Sequence, residues 1–336
     1  MSENLSQKAV LDRRGFVALG ASAFAAVAGL GLAGCSDTST EAAKGSSAGS
    51  ATKSSAPKTE AAVTLDADAY DKLIANGPKA DDATIQASTW ASTIKAAGVF
   101  KIGSVQTSTL FSLLNEKDGK TRGFDAGISQ LLSYYILGEN NIEITQVTSD
   151  TRESVLQNGQ VDAVFATYTI TDERKKLVSF AGPYYYTQQA ILVLADNDDI
   201  KSVDDLAGKN VAVQSGSNGP SILEEVAPKA SQQEFKTDEE ARQALTQGRV
   251  DAYVIDNNMQ QSAMVREPGK YKIAGKPFGN KEPYGIGLPL DSDGVAFVND
   301  FLKKIEDEGV WADLWKIAIG DRVGDSNVPE LPEVGA

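Results

Sequence analysis

The chain has 336 residues, 41% of them hydrophobic, enough for two domains of ordinary size with real cores. Its formal net charge of −14 argues against a nucleic-acid partner, which would need a basic face. The sequence contains no histidine and one cysteine, which excludes imidazole-based triads, histidine metal ligands and an intramolecular disulfide.

Residues 1–34 read as an export signal. Arg13 and Arg14 form a basic start, and an apolar run rich in Ala and Gly leads to Leu32-Ala33-Gly34-Cys35. The run is long enough to cross a membrane. The basic start, the small residues and a cysteine at the cleavage point favour a signal instead. The end of the run resembles a lipobox, which implies a diacylglyceryl group on Cys35. The paired arginines resemble a twin-arginine signal. Residues 36 to about 62 are mostly Ser, Thr, Ala, Gly and Lys, which cannot bury a core, so they are expected to form a flexible tether. The first folded lobe is expected to open at residue 86, which assigns 35–85 to the lipidated cysteine and tether. Helical patterns at Ala67–Ala75 and Ser88–Ala97 read as packing elements. In the second, Ser88-Thr89 forms the N-cap and Gly98 the stop.

Val99–Val105 is expected to be the first strand. A helix from Gly123-Phe124-Asp125 to about Leu137 carries Ile128, Leu131, Leu132, Tyr135 and Ile136 on one face. Strand Ile142–Val147 and helix Asp150–Gln157 follow. The stretch from Leu156 to Arg174 then organises the chain. It has a glycine stop at Asn158-Gly159, a buried strand Val161–Phe165 and a Thr-rich loop closed by Arg174. Loops at the carboxyl ends of such strands are where open α/β sheets bind ligands. Leu245–Asp256 repeats the pattern L-x-x-G-x-V-D-A at an offset of 89, pointing to two related α/β units. Facing each other, the two strand ends would set Thr167, Thr169 and Arg174 against Asp256. A cation on one wall and an anion on the other suits a zwitterion.

The second unit is expected to hold strand Asn210–Gln214, then a Ser215–Pro220 turn feeding a helix whose free N–H groups could take a carboxylate. Helix Asp238–Gln247, the echo strand and a helix capped at Asp256 come next. Strand Tyr284–Leu290 and helices Val295–Ile305 and Val310–Ile317 return to the first unit. Crossings near Tyr186 and Pro283 make a hinge.

From Ser88 to Gly320 the chain resembles the family 3 extracellular solute-binding proteins of ABC importers. The resemblance rests on KIG at Lys101, GFD at Gly123, SVLQNGQVDAVFATYTITDERK from Ser154, FAGPYY from Phe180, SVDDLAGKNVAVQSGS from Ser202, GRVDAYVID from Gly248 and YGIGLP from Tyr284. It implies a two-lobed, type II periplasmic-binding-protein-like α/β fold with a two-strand hinge. Lobe 1 would comprise 86–187 and 283–322, lobe 2 188–282, and 323–336 a tail. It further implies a monomer outside the cytoplasm, lipid-anchored to the cell membrane, binding a polar amino acid for an ABC permease, with no catalytic residue, metal or cofactor. Arg174 would grip the ligand α-carboxylate, shared by the Thr169 hydroxyl and completed by the N–H groups of the Ser217-Asn218 turn, and Thr167 would touch the ligand. Asp256 would hold the α-ammonium. Arg152, just before Leu156-Gln157-Asn158-Gly159, would reach a side-chain carboxylate, which favours glutamate. The stretch Ser104–Ser108 departs from the family pattern and is expected to form one pocket wall. A tethered sensor domain and a cyclohexadienyl-dehydratase-like enzyme are the alternatives on this fold.

Overall fold

The computed structural model describes residues 64–335. The expected signal with Arg13 and Arg14, the lipidation site Cys35 and the tether to about 62 lie outside the described residues.

The first described elements are helices α1 (Ala67–Ala75), α2 (Asp82–Gln86) and α3 (Thr89–Ala97). Asp66 caps α1 by accepting the Ala69 N–H, and Ser88 caps α3 by accepting that of Ala91. Gly98 closes α3 in the left-handed conformation, as expected. Tyr70 is wholly buried and donates its hydroxyl to the Gly123 carbonyl at 3.0 Å, while Asp71 pairs with Arg122 at 2.8 Å. The expected tether boundary at 85 is therefore too late. Tyr70, Ile74 and Ile85 belong to the first lobe's core, so α1 and α2 are part of that lobe.

The first lobe continues through β1 (Phe100–Ser104), a small antiparallel sheet of β2 (Thr107–Ser108), β3 (Ser112–Leu114) and β4 (Thr121–Arg122), then α4 (Phe124–Leu137), β5 (Ile142–Gln146), α5 (Arg152–Gln157), β6 (Ala163–Phe165) and α6 (Asp172–Lys175). Strand β7 (Ser179–Leu194) carries the chain into the second lobe. That lobe holds β8 (Asn210–Gln214), α7 (Gly219–Val226), β9 (Ser231–Phe235), α8 (Asp238–Thr246), β10 (Ala252–Asp256) and α9 (Asn257–Arg266). Strand β11 (Tyr271–Leu288) returns, and α10 (Gly294–Asp307), α11 (Val310–Trp315) and α12 (Asp321–Val323) finish the first lobe. The C-terminal tail is held down: Val334 is buried and the Gly335 N–H donates to the Gly182 carbonyl.

The strands run β5-β1-β6-β11-β7-β10-β8-β9 in one sheet. β7 and β11 are antiparallel and shared by both lobes, with Tyr186 opposite Pro283 where the chain crosses. The expected return strand Tyr284–Leu290 is only the end of β11, which begins at Tyr271. Gly275, Pro277, Gly279 and Pro283 interrupt the alternation of β11, and its pairing with β7 shifts register at three places. Elsewhere alternation sorts side chains to two faces. In β10, Ala252 and Val254 join one core cluster of the second lobe while Tyr253 and Ile255 join the other. In β6, Ala163 and Phe165 face the main core of the first lobe, and Val164 faces a smaller one with Val155, Leu156 and Tyr168.

The internal repeat has a physical cause. In each copy the residue after the glycine closes the helix, Gln160 N–H to Val155 O and Arg249 N–H to Ala244 O, both at 2.9 Å. The repeated aspartate then pins the neighbouring parallel strand. Asp162 accepts the Lys101 N–H and Asp251 accepts the Asn210 N–H, each at 2.8 Å.

Candidate functional site: two guanidiniums facing a buried carboxylate

The first-lobe wall begins where β6 ends. Thr167 has φ 44°, a left-handed conformation that a β-branched residue seldom adopts. Its N–H donates to Asp125 at 2.8 Å, and the other Asp125 oxygen accepts the Tyr184 hydroxyl at 2.8 Å. Burial raises the Asp125 carboxyl to about 6, and those two donors oppose the rise. The GFD aspartate thus holds the site loop to the core.

Thr169 is buried, and its carbonyl accepts from Arg174 at 2.8 Å. Arg174 sits not in a loop but on the short helix α6, capped by Thr171. Its second terminal nitrogen donates across the cleft to the Gly216 carbonyl at 2.9 Å. Arg152, on the first turn of α5, is 3% exposed and donates to the Ala166 carbonyl at 3.1 Å and to Gly216 O at 3.4 Å. Its Nε makes no hydrogen bond. Tyr168 lies beneath both cations, its ring centre 3.9 Å from the Arg152 guanidinium and 5.4 Å from that of Arg174. Glu153 accepts the Tyr168 hydroxyl at 2.6 Å and lies 3.8–3.9 Å from both arginine Nε atoms. Burial and then the neighbouring Arg174 charge lower Arg152 to about 10.

The second-lobe wall comes from the turn between β8 and α7 and from the end of β10. Gly216 presses against Ser149 and Asp150 so closely that a Cβ there would lie 2.5 Å from an Asp150 oxygen. Ser215 donates to Asp150 at 2.6 Å. The Ser217 hydroxyl donates to Gln214 O and accepts the Gly219 N–H. The turn N–H groups of Ser217 and Gly219 are therefore engaged locally, and it is the Gly216 carbonyl that faces the arginines. Asn218 donates its amide to Glu282 at 2.6 Å.

Asp256 stands at the N-cap position of α9 but makes no side-chain cap. Its oxygens accept Gln189 Nε2 at 2.6 Å and the Tyr284 hydroxyl. Burial first, and the Glu282 charge second, push its carboxyl up to about 7.

All seven residues expected from the sequence, Arg152, Thr167, Thr169, Arg174, Ser217, Asn218 and Asp256, line one small cavity of about 20 Å³ together with Ser149, Gln214, Ile255 and Met259. The lobes meet around it. The expected Ser104–Ser108 wall is corrected: none of those residues lines the cavity. Ser104 bonds Ser112, and Ser108 touches Met259, which does line it. Ser104 instead borders a larger cavity of about 480 Å³ in the first lobe, lined by no residue of the cleft. Sequence reasoning missed Glu153, Tyr168, Gln189 and Glu282. Gln189 opens an almost wholly apolar stretch of β7, which carries no alternation to show which face it uses. Glu282 falls where the glycines and prolines of β11 hid the strand.

The model of the "Bacterial extracellular solute-binding proteins, family 3" matches residues 100–320. The chain is 40% identical over 216 residues to the ABC transporter glutamine-binding protein GlnH of Bacillus subtilis (strain 168), covering 63% of this chain and 78% of that protein. It is 32% identical over 208 residues to the glutamate-binding protein GluB of Corynebacterium efficiens, covering 58% and 70%. Among solved structures, an ancestral arginine-binding protein bound to glutamine superposes with a TM-score of 0.60 at 35% identity, covering 66% of this chain and 98% of that one. With the two-lobed α/β architecture and a match over most of the folded chain, the protein belongs to the family 3 bacterial extracellular solute-binding proteins.

Proposed function

We propose that this chain captures a polar α-amino acid, best glutamate, between its lobes and hands it to an ABC-type amino-acid permease while held to the membrane by a lipid on Cys35. The observation that carries the reading is the opposition of Arg152 and Arg174 to Asp256 around one cavity. A ligand α-carboxylate would take the place of the Gly216 carbonyl at Arg174 and exchange a neutral acceptor for an anionic one, with stronger bonds. Its α-ammonium would meet Asp256. The Arg152 guanidinium, which lines the cavity, offers a second cation for a γ-carboxylate. Contacts such as Ser215 with Asp150 exist only with the lobes together, so they favour closure about the crossing of β7 and β11. Glutamine is the second reading, favoured by the glutamine-binding relative and by the bonds Arg152 already makes to Ala166 and Gly216.

Calorimetric titration of a soluble form starting after Cys35 separates the two. For a glutamate site, Arg152→Ala weakens glutamate by about 30-fold or more, the loss of roughly 2 kcal/mol for a charged hydrogen bond, and changes glutamine much less. Equal losses for both ligands would take Arg152 off the ligand side chain, and no binding of any amino acid would remove the reading. The anchor has its own test. Cys35→Ala in the producing cell is expected to abolish incorporation of labelled fatty acid and release the protein from the membrane fraction. Label retained by the variant would rule Cys35 out.

A further inference from the structure

The anionic side of the cleft holds a second carboxylate, Glu282, which reaches it from the crossing strand β11, where it pairs with Thr187 of β7. It is buried, 6% exposed. Gln189 Nε2 donates both to Asp256 at 2.6 Å and to Glu282 at 2.5 Å, so one amide nitrogen bridges the two acids. The other Glu282 oxygen accepts from Asn218. Among the described residues no lysine or arginine forms an ion pair with either acid. Around Asp256 stand Glu282 and Tyr284 from β11, Arg152 from α5 and Tyr253 on its own strand, and Arg174 of α6 lines the same cavity. Two buried like charges this close, without a paired cation, disfavour double ionisation.

The hydrogen bonds point the same way. The Tyr284 oxygen lies in contact with Asp256 Oδ2 and 3.0 Å from Asn258 Oδ1. Tyr284 donates its hydroxyl to Asp256 and brings no positive charge with it. Glu282 accepts an amide N–H on each of its oxygens, so neutral donors hold it close to Asp256.

We propose that Glu282 is the positioning residue that keeps a proton on Asp256 until a ligand ammonium replaces it, so that capture of the ligand releases one proton to solvent. The balance is simple. The ligand keeps its ammonium protons and donates to the Asp256 carboxylate, and the carboxyl proton leaves to buffer. The inference rests on the amino-acid reading above and adds to it a proton linkage and the residue that sets it. With one such proton, affinity is about tenfold weaker at pH 6 than at pH 8, because protonated Asp256 must ionise before it can pair with an ammonium.

The test is calorimetry of the soluble form with L-glutamate and L-glutamine, and with the other polar amino acids if neither binds, in two buffers of different ionisation heat. The wild type is expected to release a fraction of a proton near pH 7 and to show the tenfold pH dependence. Glu282→Gln keeps the side chain's size and an acceptor for Gln189, and it is expected to remove the proton release and flatten the dependence to under about twofold. A merely structural Glu282 would instead lower affinity by the same factor at both pH values, which overturns the proposal. Binding by the wild type without proton release overturns it too. Carbon-13 titration of the Asp carboxyls in ligand-free wild type, with Asp256→Asn to assign the signal, reads the pair without any ligand or the Glu282 variant. An Asp256 carbon that titrates in the ordinary carboxylate range refutes the pairing whatever binds. Failure of every amino acid to bind overturns the proposal together with the reading beneath it, and the carbon titration distinguishes that case from a pair that never shared a proton.

Discussion

Arg174→Ala is expected to weaken amino-acid binding by about two to three orders of magnitude. The guanidinium holds the Thr169 and Gly216 carbonyls at 2.8 and 2.9 Å, so its fork is already aimed at the point where the lobes meet. A ligand carboxylate there would gain two charge-assisted bonds, each roughly 1.5–3 kcal/mol. Losing about 3–4 kcal/mol corresponds to about a hundredfold to a thousandfold in the dissociation constant. Arg174→Lys keeps the charge without the planar fork and is expected to restore about tenfold of that loss at most. The fold should tolerate both changes, because Arg152 remains beside Glu153 and over Tyr168, so that acid is not left buried alone. Titration calorimetry on ligand-free protein reads the effect. An Arg174→Ala variant that binds within about fivefold of wild type would mean that the carboxylate lies elsewhere in the cleft.

How far the sequence reveals this site depends on the kind of signal each residue carries. Arg174, Thr169 and Asp256 were legible because they follow strands whose glycine stops and V-D-A starts repeat. The repeat is a hydrogen-bonding device, with Asp162 and Asp251 each tying a parallel neighbour. Arg152 was legible only through resemblance, since no periodicity says which way the first residue of a six-residue helix points. The electrostatic surroundings were not legible. Glu153 reads as one more surface acid on a helix, yet it serves two arginines through 3.8–3.9 Å contacts fixed by tertiary packing. Glu282 lies in a segment where two register shifts flank its pairing with Thr187, and local pattern cannot predict the face shown by a bulged strand. The same limit explains the tether. Tyr70 and Ile74 gave a helical pattern, but it takes the lobe's core and the Gly123 carbonyl and Arg122 side chain, some fifty residues away, to make that helix part of the lobe.

Asp256→Asn is expected to abolish tight binding and, at the same time, to stabilise the ligand-free protein at alkaline pH. The carboxyl is raised far above its unfolded value by burial and by the Glu282 charge. A raised acid holds its proton in the folded state where the unfolded chain has lost it. Stability therefore falls as pH climbs from about 4 through about 7, and the full penalty is present above that window. For a fully buried acid the penalty is of order 2–4 kcal/mol. Asparagine removes the charge, and its amide can donate to the Tyr284 oxygen, whose own proton then goes to Asn258. Allowing for imperfect geometry, a gain of about 1–2 kcal/mol raises the melting temperature by roughly 3–6 °C in a domain of this size at pH 8. At pH 5 the folded acid is protonated but the unfolded one is already ionised, so only about a third of the fall has occurred and the variant's gain should be clearly smaller than at pH 8. Binding moves the other way, by about a hundredfold or more, because a neutral amide cannot replace a carboxylate opposite an ammonium. Thermal unfolding at the two pH values decides the matter. A variant no more stable than wild type at pH 8, or equally stabilised at pH 5, would mean that Asp256 carries no stored repulsion. The site would then have to draw its affinity for the ammonium from ordinary hydrogen bonding and not from the relief of a buried charge conflict.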